Sequence, residues 1–160
     1  MFIKSAGFRS ATLQYSVTPI LHSSLSGRRE VVKLAWRFLS VDARLREGIR
    51  LFNAGRYFDS HESLEDFYRR ADESDKPFLE GLIQLAAALR VFRDFDEVKG
   101  PVRMARQALI RLENYQPAYL GIKVTGLIGA IETWAAKAES KTTATAPSVP
   151  KISLRRFGWF

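Results

Sequence analysis

Apolar residues recur at intervals of three and four positions along the middle of the chain, the spacing that gathers side chains on one face of an α-helix. Between residues 42 and 138, polar stretches or stretches containing Gly and Pro interrupt this pattern four times. The interval therefore predicts about five helices with short connections, which is typical of a compact, all-α, up-and-down bundle. No window alternates apolar and polar residues as a half-buried strand does, so the sequence predicts no sheet.

Capping residues and helix breakers indicate where these helices begin and end. Asp42 can cap the first helix, and Gly55 can end it in the left-handed conformation. Asp59 or Ser60 can cap the second helix, and Pro77 suits the first turn of the third. The third helix is apolar around most of its circumference, so we expect it at the centre of the bundle.

Two glycines, Gly126 and Gly129, lie within the fifth predicted helix. Glycine inside a helix costs about 1 kcal/mol relative to alanine. We therefore expect these positions to allow a neighbouring helix to approach closely.

The two ends of the chain differ in composition from the middle. Residues 1–27 are rich in Ser and Thr and contain no acidic residue, which predicts a disordered arm or an organellar targeting segment. Residues 28–41 predict an extra basic amphipathic helix, which packs on the bundle or lies on a membrane surface. Residues 139–160 begin with a stretch of Thr, Ala and Pro and predict a flexible tail. The aromatic and basic residues that end this tail either fold back or serve as a peptide ligand.

The net charge of +8 belongs to these basic ends. Residues 42–137 contain 15 basic and 15 acidic residues, so the predicted bundle is electrically balanced. A nucleic-acid-binding domain gathers Lys and Arg on a folded face, because phosphate neutralisation supplies much of its affinity. The charge distribution therefore argues against nucleic-acid binding.

Composition excludes several other classes. The absence of cysteine excludes a disulfide scaffold, a thiolate metal site and a cysteine nucleophile. No apolar run approaches the roughly 20 residues that span a bilayer, so we expect no integral membrane association. The expected location is cytoplasmic, or organellar if residues 1–27 are a transit peptide.

Candidate chemistry is concentrated in the second predicted helix, in the string H-E-S-L-E at residues 61–65. His61 and Glu65 lie one turn apart on the same face, so their side chains can meet. His61 lies on or beside the apolar stripe of this helix, whereas Glu62 points toward the flank. The other histidine of the chain, His22, lies in the N-terminal arm.

Three interpretations of this string stay open. In the first, a half-buried imidazole and the carboxylate one turn away form a structural network, since buried polar groups are paired. In the second, the same side chains line a pocket for a ligand other than a metal. In the third, His61 and Glu65 bind a metal and Glu62 acts as general base, by analogy with zinc-binding H-E-x-x-H helices. A catalytic zinc has about three protein ligands and the string has one histidine, so the sequence assigns no metal.

The third helix offers a partner for this string. Gln84 interrupts the apolar run 82–86, and a buried glutamine has several hydrogen-bonding positions to satisfy. We expect Gln84 to face His61 and Glu65 across a small cleft. The candidate residues of a ligand-binding or structural polar network are therefore His61, Glu62, Glu65 and Gln84.

Two stretches of the chain carry a family resemblance. Residues 55–68 read G-R-Y-F-D-S-H-E-S-L-E-D-F-Y, and residues 78–89 read F-L-E-G-L-I-Q-L-A-A-A-L. In order and spacing they resemble the H-E-x-L-E and G-L-I-Q-x-A pattern of the family catalogued as domain of unknown function 309. The resemblance covers about residues 42–137. It implies a small all-α bundle of about five helices and no established activity.

The resemblance carries over residue by residue to His61, Glu62, Glu65, Gly81 and Gln84. The chain departs from the family at Tyr68, where members usually have Trp, and at residues 90–92, where many members have histidine. A functional site that depends on those histidines in relatives would be lost or altered in this chain.

The sequence thus favours a small helical binding or protein-interaction module with a polar cleft on the second and third helices. The alternative is a metal-dependent hydrolase that uses the H-E-x-x-E helix. The expected partner is another protein or a second copy of the chain. The sequence leaves enzymatic activity open and identifies neither a catalytic residue nor a cofactor.

Overall fold

The computed structural model describes residues 41–140 and 147–155. Within these ranges the helices are α1 Ala43–Asn53, α2 Tyr57–Tyr68, α3 Lys76–Phe95, α4 Lys99–Leu112 and α5 Val124–Glu139. A 3-10 helix Glu113–Tyr115 and two strands, β1 Ala118–Tyr119 and β2 Ile122–Lys123, connect α4 to α5. The arm predicted for residues 1–27 and the helix predicted for residues 28–41 lie outside the described residues, apart from Val41.

Consecutive helices pack against each other, and α3 contacts both α2 and α4. This arrangement confirms the predicted all-α bundle of five helices. The α3 helix lies at its centre because apolar residues cover most of its circumference. Its fully buried apolar side chains are Phe78, Leu79, Leu82, Leu85, Ala86, Ala88 and Leu89. Although α3 is strongly apolar, neither it nor any other helix in the described ranges could cross a lipid bilayer.

Local sequence signals set the ends of α1 and the start of α3, as predicted. The Asp42 carboxylate accepts a hydrogen bond of 2.8 Å from the backbone N–H of Arg44. Gly55 has a φ of 79° directly after α1, a conformation that glycine adopts without steric cost. Pro77 lies in the first turn of α3.

The α2 helix begins at Tyr57, and neither Asp59 nor Ser60 caps it. Asp59 lies in the first turn, where its carboxylate accepts a hydrogen bond of 2.9 Å from the Arg56 side chain. Ser60 is buried and donates a hydrogen bond of 2.9 Å to the carbonyl of Gly48 in α1. The capping prediction was wrong because the Ser60 hydroxyl joins two helices instead of closing the end of one.

A short antiparallel hairpin of β1 and β2 lies between α4 and α5, contrary to the prediction of no sheet. Leu120 and Gly121 form its turn, with φ values of 44° and 79°. Two-residue turns with positive φ match the twist of paired strands. Each strand has only two residues, which is too short for an alternating pattern to be visible in the sequence.

Residues 147–155, called the C-terminal segment below, lie against the bundle. Ile152 is only 2% exposed. Its backbone N–H donates to the Asn53 side chain, and its carbonyl accepts from the same side chain, both at 2.8 Å. The flexible tail predicted for residues 139–160 is therefore wrong for this segment, because the burial of Ile152 and its bonds to α1 hold it.

The C-terminal segment also extends the hairpin. The backbone N–H of Lys123 donates to the carbonyl of Ser153 at 2.9 Å, and that of Arg155 donates to the carbonyl of Gly121 at 2.8 Å. These bonds leave the side chain of Ile152 buried while Ser153 stays exposed. The segment thus behaves as a short edge strand on the hairpin.

Close helix approaches occur at glycines other than the predicted ones. A Cβ atom on Gly126 or Gly129 would meet no atom within 4 Å in the described part of the chain, so the prediction for these two was wrong. A Cβ atom on Gly48 would lie 2.9 Å from the Cγ atom of Leu64. The missing side chain of Gly48 therefore allows α1 and α2 to pack closely.

The largest fully buried side chain in the described ranges is Trp134 on α5. Its ring meets Phe92 of α3 edge to face, with the centroids 5.1 Å apart. Its indole Nε1 has no hydrogen-bond partner among the described residues. Trp134 therefore contributes to the stability of the core through the volume that it fills and its contact with Phe92.

Candidate functional site

The α2 helix brings together His61, Glu62 and Glu65, called the His61 cluster below. The Nδ1 atom of His61 lies 3.6 Å from a carboxylate oxygen of Glu62, and its Nε2 atom lies 3.8 Å from one of Glu65. The contact with Glu65 follows from the i, i+4 spacing. Both distances exceed the roughly 3.2 Å of an ordinary hydrogen bond, so the two carboxylates flank the ring without direct bonds.

The side chains of the cluster are partly open to solvent. Exposure is 27% for His61, 58% for Glu62 and 37% for Glu65. The Glu65 carboxylate also lies 3.6 Å from the guanidinium of Arg69. The cluster is therefore partly buried at His61 and open to solvent at Glu62, and its carboxylates lie beyond hydrogen-bonding distance of the ring.

Replacing Glu65 by alanine is expected to change the free energy of unfolding by no more than about 0.5 kcal/mol, because partly exposed ion pairs contribute little. Chemical denaturation followed by circular dichroism measures this change. Leu64→Ala, at the adjacent buried position, is the matched control and should lose about 2–5 kcal/mol. A loss well above 1 kcal/mol, roughly the worth of a buried hydrogen bond, in Glu65→Ala would contradict a surface role.

Gln84 does not join the His61 cluster. Its side-chain N–H donates to the Gln107 side chain at 2.9 Å, and its oxygen accepts from Arg111 at 3.1 Å. Both partners belong to α4. The prediction that Gln84 faces His61 was therefore wrong. Successive residues of an α-helix point about 100° apart, and the side of α3 that carries Gln84 faces α4.

A recess of about 330 Å³ lies between α2 and α3, next to the His61 cluster. It is called the α2–α3 recess and is lined by Glu65, Tyr68, Arg69, Glu80 and Ile83. The Tyr68 hydroxyl donates to Glu80 at 3.0 Å. The sequence-based candidates did not include Tyr68. The signal that could have found Tyr68 is its seven-residue spacing from His61, which puts both on one face of a helix.

Two cations of α3 cover aromatic rings near the two ends of α2. The guanidinium of Arg90 lies 4.4 Å from the ring centroid of Phe58, and the ammonium of Lys76 lies 5.5 Å from that of Tyr68. Each of these cation–π contacts places a positive charge over one face of a ring, and Phe58 remains 47% exposed. His61 lies between the two covered rings in the sequence of α2.

The recess also perturbs a titratable group. The hydrogen bond from Tyr68 to the Glu80 carboxylate raises the pKa of the tyrosine hydroxyl above its ordinary value. Desolvation and the negative charge of Glu80 act in the same direction, and the Lys76 ammonium opposes them. The recess thus holds a tyrosine in its neutral, donating form.

Replacing Glu80 by glutamine should lower the pKa of Tyr68 toward about 10, the ordinary value for tyrosine, because the carboxylate that favours the protonated hydroxyl is removed. A titration of tyrosine Cζ resonances by ¹³C NMR measures this change. Tyr57 is the internal control, since burial and not Glu80 raises its pKa. An unchanged pKa of Tyr68 in Glu80→Gln would contradict the assignment.

The His61 cluster has a donor set that a metal could use. One ligand atom from each of His61, Glu62 and Glu65 lies within 4.8 Å of the other two. Zinc bonds of about 2.0–2.2 Å place tetrahedral ligand atoms about 3.4 Å apart. The side chains would therefore have to close by at most about 1.4 Å to bind zinc together. In the described ranges, this cluster supplies one nitrogen and two carboxylates.

Comparison with family models connects these helices to known proteins. Residues 45–104 match the family model described as Domain of unknown function (DUF309). Over this span the chain resembles DUF309. The match confirms the resemblance indicated by the H-E-x-L-E and G-L-I-Q-x-A motifs. The DUF309 match includes the His61 cluster and the α2–α3 recess and ends within α4, so α5 and the C-terminal segment lie outside it. Comparison with curated proteins gave no match.

Proposed function

We propose that this chain is a small helical binding module that uses the His61 cluster and the α2–α3 recess to hold a partner. The observation that supports this proposal is the partial exposure of His61 and two carboxylates beside a recess. Polar groups that lie fully inside a core are hydrogen-bonded, whereas the side chains of this cluster are partly accessible to solvent. Side chains that bind are left accessible on a rigid element.

The partner of this surface is a basic group, such as a lysine side chain of another protein. The surface carries the carboxylates of Glu62, Glu65 and Glu80, and Arg69 is the cation that lines the recess. Ile83 adds an apolar wall, against which the methylene stem of a lysine can pack. Arg69 lies 3.6 Å from Glu65 and Arg111 lies 3.5 Å from Glu80, whereas Glu62 lies beside only the His61 ring among the described residues. The negative charge left at Glu62 favours a cation over an anion.

Binding of a basic probe tests the proposal. Tetralysine and tetraglutamate peptides are titrated separately into the full chain labelled with ¹⁵N, and amide shifts are recorded. Tetralysine should shift the amides of His61, Glu65 and Tyr68, whereas tetraglutamate should not. The shifts should weaken with added salt, because the attraction is largely electrostatic at an exposed surface.

A double variant and its control decide whether the named carboxylates are responsible. Glu62→Gln combined with Glu65→Gln should abolish the shifts caused by tetralysine. Glu113→Gln combined with Glu132→Gln, at two exposed positions outside the recess, removes the same number of negative charges and should preserve them. Shifts that survive the double variant would refute this surface as the binding site.

The second candidate function is a metal-dependent hydrolase, which the donor set of the His61 cluster favours. In that reaction His61 and Glu65 would bind the metal, and Glu62 would accept a proton from a metal-bound water. The nearest neighbours of Nδ1 and Nε2 are different carboxylates. A metal on one nitrogen therefore requires at least one carboxylate to reorient.

Cobalt distinguishes the two candidates. Co²⁺ added to the purified chain gives visible absorption when protein side chains hold it in a four- or five-coordinate site. The hydrolase candidate requires such absorption at stoichiometric metal and its loss in His61→Ala. The binding-module proposal expects no stoichiometric absorption, and tetralysine binding that is insensitive to a chelator.

A further inference from the structure

A second concave surface lies on the other side of α1, away from the His61 cluster. This groove, called the α1 groove, has a volume of about 630 Å³ and lies between α1 and the C-terminal segment. Its apolar lining consists of Val41, Ala43, Ile49, Ile152 and Leu154. An apolar concavity of this size is suited to receive apolar side chains.

Charge does not select the occupant of the α1 groove. Glu47 and Arg50 lie on its rim and neutralise each other through two hydrogen bonds of 2.7 and 2.8 Å. Arg46 is the remaining charged residue of the lining. Complementary apolar shape, and not an ion pair, therefore determines what fits.

The chain itself enters the bundle at this groove. Val41 lines the groove, and the same side chain packs on the hairpin turn so closely that a Cβ atom on Gly121 would collide with it. The residues that precede Val41 in the sequence therefore start at the rim. A chain advances by at most about 3.5 Å per residue, so residues just before Val41 stay near the groove.

We propose that the α1 groove is the docking surface for residues 28–39 of the same chain. Their apolar positions Val31, Leu34, Ala35 and Phe38 recur at the spacing of one helix face. Only Ser40 separates this stretch from Val41. Docking buries the apolar face of the stretch and covers the groove in one step.

Two basic residues of the stretch, Lys33 and Arg37, are compatible with this placement. Lys33 and Arg37 lie away from the stripe formed by Leu34 and Phe38 on a helical wheel. With the stripe in the groove, their charges remain in water and avoid Arg46. The docked stretch would then act as a sixth helix on the outer side of α1.

Paramagnetic labelling tests the proposal in the full chain. The chain has no cysteine, so one introduced cysteine carries one nitroxide label. A label at Arg46→Cys on the groove rim should broaden the amide resonances of Leu34 and Phe38. A label at Arg103→Cys, an exposed position on α4 outside the groove, is the matched control and should leave them sharp.

A pair of variants separates apolar docking from simple proximity. Leu34→Asp in the chain labelled at position 46 should remove the broadening, because the stripe then carries a charge. Lys33→Asp, one residue earlier and off the stripe, should preserve it. Both substituted positions lie outside the residues that the structure describes.

Other results would overturn the proposal. Equal broadening from the two labels, or none from either, means that residues 28–39 do not occupy the groove. Broadening of Phe157 and Trp159 in place of Leu34 assigns the groove to the C-terminal aromatic residues. Broadening in a mixture of labelled ¹⁴N chains and unlabelled ¹⁵N chains assigns it to a second copy.

Discussion

Replacing Trp134 by alanine is expected to lower the free energy of unfolding by about 3–5 kcal/mol, the range for removing a large aromatic side chain from a core. Trp134 is fully buried, and its edge-to-face contact with Phe92 joins α5 to α3. A small domain is stable by only about 5–15 kcal/mol, so the variant loses a large part of its stability. Urea unfolding followed by circular dichroism measures the loss.

Trp134→Phe is the matched control for this prediction. Phenylalanine keeps an aromatic ring against Phe92 and also removes the indole N–H, which lacks a partner among the described residues. A buried, unpaired donor is unfavourable, so its removal offsets part of the lost volume. We expect Trp134→Phe to lose only about 1–2 kcal/mol. Equal losses in both variants would contradict this account.

Replacing Ile152 by alanine should release the C-terminal segment and cost about 2–4 kcal/mol. Ile152 is buried, as is Pro150 of the same segment, and the backbone of Ile152 is held by the Asn53 side chain. The loss is limited by the docking energy of the segment, since the segment can detach while the helices stay folded. Hydrogen exchange measures this detachment directly.

Exchange at the backbone N–H groups of Lys123 and Arg155 reports the detachment of the segment, because each donates a hydrogen bond between the segment and the hairpin. Their protection should fall by about 30-fold for a loss of 2 kcal/mol. Ser153→Ala changes the neighbouring exposed position and should leave protection almost unchanged. Undiminished protection in Ile152→Ala would show that backbone bonds alone hold the segment.

The helices were predictable because their signals are local. Apolar periodicity, the Asp42 cap and the left-handed Gly55 all act within a few residues of each helix, and the structure confirms them. The C-terminal segment was not predictable in this way. Ile152 is bonded to Asn53 across 99 positions of sequence, and composition alone predicts a flexible tail for such a stretch.

The candidate site shows the same difference between local contacts, which were predictable, and contacts between helices, which were not. The proximity of His61 and Glu65 follows from the geometry of one helix and was predicted. The position of Gln84 depends on which side of α3 meets which neighbour. Because α3 is apolar nearly all round, its sequence carries no signal for that orientation.

Because Asn53 of α1 is hydrogen-bonded to Ile152, the final fold can form only after residue 152 has been synthesised. During translation all five helices emerge before the residue that covers the hairpin and the end of α1. Ile122, which is buried in the finished fold and bridges Leu154, stays uncovered on the nascent chain until then. Contacts between residues far apart in sequence form late and slow the folding of a chain. Completion of this bundle therefore awaits the synthesis of residues 147–155, and the growing polypeptide exposes an apolar surface to chaperones in the interval.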